Sequence, residues 1–176
     1  MSTLSTAWII GIMVGAVLVV LLLKLINKNG KAKTEYDERQ LIERGKAYKY
    51  GFFAALLTCA VLILLDTFET ILPVLGMTTF FFPIMTGVVA QVSYSIFHDA
   101  YEGLNTNMGR FIVVMAVISV FNIFLAVARF VRAGILEDGK LCPQFMNLMC
   151  GILLFIVAGE LMIKKALDRR EGSEEA

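Results

Sequence analysis

The chain has 176 residues, of which 58% are hydrophobic and 18% are charged, and its formal net charge is +1. Soluble domains are typically about 45–50% apolar, so this composition excludes an ordinary soluble fold. The small net charge says little about partners, because the charges are concentrated in a few segments. Several uncharged runs approach or exceed the length that crosses a bilayer, which predicts an all-α, polytopic membrane protein.

The first apolar run covers residues 7–23 and ends at Lys24, whose ammonium group can reach the membrane surface. Extended to Ile26, it predicts the first of five transmembrane helices, within residues 1–26. No Lys or Arg precedes this run and eight follow it within residues 24–49, which is the reverse of a cleaved signal peptide. Gly11 and Gly15 form a small-xxx-small pair that suggests a homodimer, although glycine is also common in membrane helices generally.

Residues 27–49 are predicted to form a charged cytoplasmic linker and a helix on the membrane surface. Thr34 is expected to begin that helix, because Asp37 follows three positions later as in a variant of the capping box. Leu41 and Ile42 give the helix a narrow apolar edge. We expect it to run directly into the second transmembrane helix.

Four further transmembrane helices are predicted within residues 50–163, at about 48–68, 79–97, 111–130 and 145–163. The uncharged core of the second, residues 50–65, has 16 residues and is short for a bilayer. Glycine and proline residues predict turns before the third and fifth helices. A charged cytoplasmic tail, residues 164–176, completes the chain.

The distribution of basic residues predicts the orientation of the helices. With the N-terminus outside, the cytoplasmic segments hold 13 Lys and Arg residues, and the outer segments hold three, Arg129, Arg132 and Lys140. Cytoplasmic loops of membrane proteins are enriched in Lys and Arg. We therefore expect five helices with the N-terminus outside and the C-terminus in the cytoplasm.

Residues suited to catalysis are sparse. The single histidine, His98, cannot supply a histidine-based metal cluster, and the three cysteines are not spaced as metal ligands. Phosphate-binding, dinucleotide-binding and GxSxG patterns do not occur. We expect no enzymatic activity, no cofactor, no metal and no nucleic-acid partner. The weakest alternative is a lipid-modifying enzyme that uses His98, Asp99 or Glu160 as its acid or base.

Polar residues are also sparse within the predicted helices. Gln91 and Ser95 lie four residues apart on one face of the third helix, and Asn122 lies near the middle of the fourth. Hydrogen bonds between helices are the simplest explanation of such residues. The alternative is a polar path lined by these three residues in a small, oligomeric transporter or channel.

Two polar stretches are predicted on the same cytoplasmic side, YDERQLIERGKAYKYGF at 36–52 and FHDAYEGLNTN at 97–107. Asp99 and Glu102 are acidic, whereas the first stretch contains several basic residues, so we expect the two to pair. Together they form either a solvated, charged surface or a docking platform for a protein or for anionic lipid head groups. The candidate interaction residues are Asp37, Glu38, Arg39, Gln40, Lys46, Tyr48, Asp99, Tyr101 and Asn105.

These stretches resemble motifs of a group of small bacterial membrane proteins of unknown function. That group carries Asp-Glu-Arg-Gln after the first helix and then a Gly-Lys-Ala-Tyr-like run, here residues 37–40 and 45–48. It carries a Lys-Asp-Ala-Tyr-Phe-Gly-Leu-Asn-like motif between later helices, here residues 98–105, from which His98 and Glu102 depart. The resemblance implies a multi-helix fold in a bacterial cell membrane, and it implies no activity.

We therefore predict a multi-pass protein of the plasma membrane with a regulatory, sensing or accessory role and no enzymatic activity. Its expected partners are membrane lipids and a protein that docks on the cytoplasmic face. The oligomeric transporter or channel remains the alternative function.

Overall fold

The structure is a computed structural model that describes residues 3–67 and 72–174. Within these ranges the chain forms a helical bundle with a small hairpin. The helices are α1 (Thr3–Ile26), α2 (Glu38–Asp66), α3 (Leu72–Leu75), α4 (Phe81–Phe97), α5 (Met108–Ala133) and α6 (Phe145–Glu174). A 3₁₀ helix at Gly76–Phe80 precedes α4, and strands β1 (Leu136–Glu137) and β2 (Lys140–Leu141) pair antiparallel.

Among the described residues, four helical segments are long and apolar enough to cross a membrane, namely 38–66, 72–97, 108–133 and 145–170. The chain is therefore an all-α, multi-pass membrane protein apart from the short hairpin. A fifth helix, α1, has 24 residues, which corresponds to about 36 Å. Its segment Met13–Ile26 is apolar.

The helix predicted to precede the second span runs directly into it, as expected, and the two form one continuous helix, α2, of 29 residues. Two other helices are longer than the sequence predicts. The fourth predicted helix extends at both ends, from 111–130 to Met108–Ala133. The fifth continues past residue 163 to Glu174, so the described part of the predicted tail is helical. The third begins at Phe81 rather than near residue 79, and the predicted end of the second helix, residue 68, lies outside the described residues.

Helix α2 begins at Glu38 rather than at Thr34. Asp37 is its N-cap, and its carboxylate accepts a hydrogen bond from the Gln40 backbone N–H at 2.6 Å. The Gln40 side chain in turn accepts from the Asp37 N–H at 3.2 Å. This reciprocal pair is a capping box. The expected box between Thr34 and Asp37 is therefore wrong by one turn, because Asp37 is the cap itself.

Helices α2 and α4 approach closely through two glycines. A Cβ atom at Gly51 would lie 2.7 Å from the Gly87 carbonyl oxygen, and one at Gly87 would lie 3.0 Å from the Gly51 oxygen. The Thr58 and Thr86 hydroxyl oxygens are 2.7 Å apart across the same pair of helices. Small residues permit this backbone contact, which supplies much of the packing energy between membrane helices.

Helix α6 packs against both α4 and α5. The Ser119 hydroxyl, which is fully buried, donates to the Gly151 carbonyl at 2.8 Å and joins α5 to α6. Ile96, Val157 and Leu161 form an apolar cluster between α4 and α6. The apolar cluster therefore lies at the C-terminal end of α4 and in the middle of α6.

Within residues 13–26, the part of α1 whose surroundings are described, burial is greatest at the C-terminal end. Ile26 is 5% exposed, whereas Val17 is 59% exposed. A Cβ atom at Gly15 would have no heavy atom within 4 Å, so this glycine does not mediate packing within the chain. Gly11 lies outside the residues whose surroundings are described. The homodimer through these glycines stays a prediction.

Candidate functional site

Polar segments gather at one end of the bundle. They are the α1–α2 linker (residues 27–37), the first turns of α2 (38–46), the α4–α5 loop (98–107) and the last turns of α6 (164–170). Hydrogen bonds and salt bridges connect the other three segments to the α4–α5 loop. We call these four segments the polar head.

Asn105 joins the linker to the α4–α5 loop. Its side chain is 8% exposed; the amide oxygen accepts from the Glu35 N–H at 3.0 Å, and the amide nitrogen donates to the Lys33 carbonyl at 2.9 Å. The Leu104 N–H donates to the Glu35 carbonyl at 2.8 Å. An Asn side chain can serve a backbone donor and a backbone acceptor at once, so Asn105 holds an irregular linker in place.

Two further positions shape the same contact. A Cβ atom at Gly103 would lie 2.7 Å from the Glu35 carbonyl oxygen and would overlap the Thr34 methyl group. Asn27, only 2% exposed, forms an isolated antiparallel bridge with Thr106. The linker therefore finds hydrogen-bond partners in the loop, as buried backbone groups require.

Gln40 attaches α2 to the same loop. Its side-chain nitrogen donates to the Asp99 carbonyl at 2.9 Å and to the Glu102 carbonyl at 3.0 Å, and the residue is 9% exposed. Its side-chain oxygen already serves the capping box, so the whole amide group is bonded. Asp99 has a φ of +56°, a conformation that Asp and Asn adopt more readily than most residues.

The expected pairing between the acidic and basic stretches is confirmed at Asp99. One carboxylate oxygen lies 3.3 Å from Arg39 Nη2 and the other lies 2.9 Å from Lys164 Nζ. Arg39 also donates to the His98 carbonyl at 3.2 Å. Because the Arg39 side chain is 67% exposed, water screens its pair with Asp99, which stabilises the fold by less than about 1 kcal/mol.

Other candidate residues lie on the surface of α2. Lys46 pairs with Glu43 at 2.8 Å. Tyr48 is 54% exposed, and its hydroxyl accepts from Arg44 at 3.4 Å. Glu38 is exposed in the first turn. The candidates thus fall into two groups. Residues that hold the head together are Asp37, Gln40 and Asn105; residues with exposed side chains include Glu38, Arg39, Lys46 and Tyr48.

Tyr101 lines two clefts in the polar head. Its ring meets Phe111 edge-on, with ring centroids 5.6 Å apart, and burial raises the pKa of its hydroxyl to about 12. Partial burial also raises the pKa of the neighbouring Glu102 carboxyl. The first cleft, of about 200 Å³, includes Asp99, Tyr101, Glu102, Lys164, Lys165 and Asp168. The second, of about 170 Å³, includes Asn27, Tyr36, Arg44, Tyr101, Glu102 and Thr106.

The candidate residues within the membrane bond to their own helices. The Ser95 hydroxyl donates to the Gln91 carbonyl at 2.8 Å, and the Asn122 amide donates to the Ile118 carbonyl at 2.9 Å. Ser95 is buried, whereas Gln91 and Asn122 are half-buried. In the described part of the chain, Gln91 and Ser95 adjoin on α4, and hydrogen bonds do not connect Asn122 to either of them.

Hydrogen bonds between helices involve residues outside the candidate interaction and intramembrane sets, and Glu160 is a candidate only as an acid or base of the enzyme alternative. The Ser93 hydroxyl donates to Glu160 Oε1 at 2.8 Å, and the Tyr94 hydroxyl donates to Glu43 Oε2 at 2.9 Å. A polar residue inside an apolar run is the signal that marks such positions. Their partners lie on other helices, so local spacing cannot identify the pairs.

No protein-family model, curated protein or solved structure matches this chain. Across residues 3–67 and 72–174, His, Cys, Asp and Glu side chains form no group of three or more that could hold a metal ion. The geometry and charge of the polar head are therefore the basis for a functional proposal.

Proposed function

We propose that this chain is a regulatory, sensing or accessory protein of the plasma membrane without enzymatic activity, and that a cytoplasmic protein docks on its polar head. In this proposal five helices cross the membrane, with the N-terminus outside and the C-terminus in the cytoplasm. The excess of Lys and Arg in the segments assigned to the cytoplasm, 13 against three, supports this orientation.

One observation carries the docking proposal: α2 is longer than the hydrocarbon core is thick, and it exposes apolar side chains in its first turns. Its 29 residues correspond to about 43 Å, whereas the hydrocarbon core is about 30 Å thick. Leu41 and Ile42 belong to the part of α2 within the polar head, and they are 56% and 63% exposed. Burial of apolar surface that faces water is favourable, so a partner that covers these side chains gains binding energy.

Charge and rigidity support the same surface. Glu38 and Arg39 lie beside Leu41 and Ile42 in sequence and are exposed, so they provide charges that a partner can complement. The capping box and the bonds of Gln40 to the α4–α5 loop hold this turn in place. A preformed surface reduces the entropy that binding costs.

Affinity purification of the tagged chain from its own membranes in mild detergent, followed by mass spectrometry, tests the proposal. We expect a stoichiometric protein partner that the double variant Leu41→Ser/Ile42→Ser loses. The matched control is Ile135→Ser/Leu136→Ser, which changes two exposed apolar residues near the β1–β2 hairpin and retains the partner.

Retention of the partner by the Leu41→Ser/Ile42→Ser variant would contradict docking on this turn. Recovery of the chain alone, as a homo-oligomer, would contradict the docking function itself. The transporter alternative would then be tested by flux measurements in liposomes, with Asn122→Leu as the variant that abolishes flux.

A further inference from the structure

A second surface lies where α5 begins and α6 leaves the membrane. An open groove of about 450 Å³ is lined by Gly109 and Ile112 of α5 and by Met162, Lys165, Ala166 and Arg169 of α6. We propose that this groove binds one anionic phospholipid. Its phosphate lies between Lys165 and Arg169, and an acyl chain lies against Ile112 and Met162.

The order of side chains along the groove matches the order of groups in a phospholipid. Met162, Ala166 and Arg169 follow one face of α6 at helical spacing, and Lys165 lies beside them. The distance along the axis from Met162 to Arg169 is about 10 Å. The deeper end is therefore apolar, and the end at the polar head carries two cations.

The two cations are available to a ligand. Lys165 and Arg169 are exposed, and the salt bridges found among the described residues do not include either of them. The acidic residues that line the adjoining cleft together with Lys165 are Asp99, Glu102 and Asp168, and Asp99 is paired with Lys164. Asp168 is already paired with Lys164 at 2.8 Å. A phosphate would supply the negative charge that the groove lacks.

Small residues leave the groove open at the level of the phosphate. A Cβ atom at Gly109 would meet Asn107 Oδ1 at 3.5 Å and no closer atom, and Ala166 on the facing helix is exposed. Met162, at the apolar end, is 60% exposed within a segment that can cross the membrane. A free phosphate ion would leave that apolar wall uncovered, whereas a phospholipid covers it.

Native mass spectrometry of the purified full-length chain in mild detergent tests this site, with phosphatidylglycerol and phosphatidylcholine as probes. We expect one phosphatidylglycerol to be retained in preference to phosphatidylcholine. The variant Lys165→Gln/Arg169→Gln should weaken retention about 30-fold, because each basic residue near a lipid surface contributes about fivefold. The control Lys31→Gln/Lys33→Gln removes the same charge from the exposed linker and should retain the lipid.

The variant Ala166→Leu separates groove shape from charge. It keeps both cations and replaces one good helix former with another, so the fold should persist, which thermal melting verifies. We expect it to weaken lipid retention. The proposal would be overturned if the linker control lost the lipid equally or if Ala166→Leu left binding unchanged. It would also be overturned if both lipids were retained equally or if soluble glycerol phosphate displaced the lipid. Failure here is distinct from failure of partner docking, because Leu41 and Ile42 do not line this groove.

Discussion

The polar head and the α2–α4 interface are held together in different ways. In the head, the side chains of Gln40 and Asn105 bond to backbone groups of other segments at 2.9–3.0 Å. In the interface, Gly51 and Gly87 bring two backbones into contact, and the Thr58–Thr86 bond adds a polar link. One region depends on particular polar atoms and the other on the absence of side chains.

The difference follows from the surroundings of the two regions, which are lipid for the α2–α4 interface and water for the polar head. Lipid tails are as apolar as the side chains of membrane helices, so association there relies on close packing rather than on the hydrophobic effect. In the head, water can bond to any polar group that is exposed, but a buried group that loses its partner costs about 1–3 kcal/mol. We therefore expect the interface to be sensitive to added volume and the head to be sensitive to lost polar atoms.

The largest expected effect comes from adding one methyl group to the interface. Gly51→Ala places a Cβ atom 2.7 Å from a backbone oxygen of α4, so the helices must separate, and we expect a loss of up to about 3 kcal/mol. Gly45→Ala is the control on the same helix: its Cβ has no heavy atom within 4 Å, and Ala favours helix by about 1 kcal/mol. Thermal unfolding in detergent measures both. A Gly51→Ala protein as stable as the wild type would contradict the proposed packing.

Loss of Asn105 should loosen the polar head. Asn105→Ala removes the acceptor of the Glu35 N–H and leaves the Lys33 carbonyl with only the longer bond from the Asn27 amide, at 3.5 Å, so we expect a cost of about 2 kcal/mol. Hydrogen exchange should rise in residues 31–36 and 103–107 and stay unchanged in α6. Lys31→Ala is the control, because Lys31 is exposed and takes part in the linker's hydrogen bonds only through its backbone. Equal hydrogen exchange in the two variants would mean that the Asn105 side chain does not hold the linker against the α4–α5 loop.

Alkaline pH should destabilise the head through Tyr101. Burial raises its pKa from the ordinary value of 10.0 to about 12. The neutral hydroxyl therefore stabilises the fold fully below pH 10, and this contribution declines as the pH rises towards 12, by about 1 kcal/mol one unit above 10. The melting temperature of the Tyr101→Phe variant should fall less steeply with rising pH than that of the wild type. The melting temperature of the exposed control, Tyr48→Phe, should fall as steeply as that of the wild type. Identical slopes for all three would refute a buried hydroxyl.

Removal of Arg39 should have the smallest effect on folding. Arg39→Ala breaks an exposed salt bridge to Asp99, and we expect a loss below about 1 kcal/mol that shrinks further in high salt. Gln40→Ala, one residue away, removes two bonds to the loop and half of the capping box, so it should cost more and should not respond to salt. Melting at low and high ionic strength separates the two, and a larger loss for Arg39→Ala would reverse our ranking.

The helical class and the approximate positions of the long apolar helices could be predicted, because a bilayer demands long uncharged runs. The pairing of Arg39 with Asp99 could also be predicted in kind, because opposite charges were expected on one side. The ends of helices could not be placed as well. Helix α2 begins at Glu38 and α6 continues to Glu174. The turns at these ends are polar, so hydropathy does not mark where the helices begin and end.

The sequence by itself determined an all-α membrane protein whose charges collect at the ends of its helices, since composition and run length decide both. Only the tertiary structure decided which polar residues hold the fold together and which stay exposed. Glu35 and Asn105 are 70 residues apart in the chain, and Gln40 is 62 residues from its acceptor at Glu102. Helix packing creates such bonds, and no local pattern encodes them.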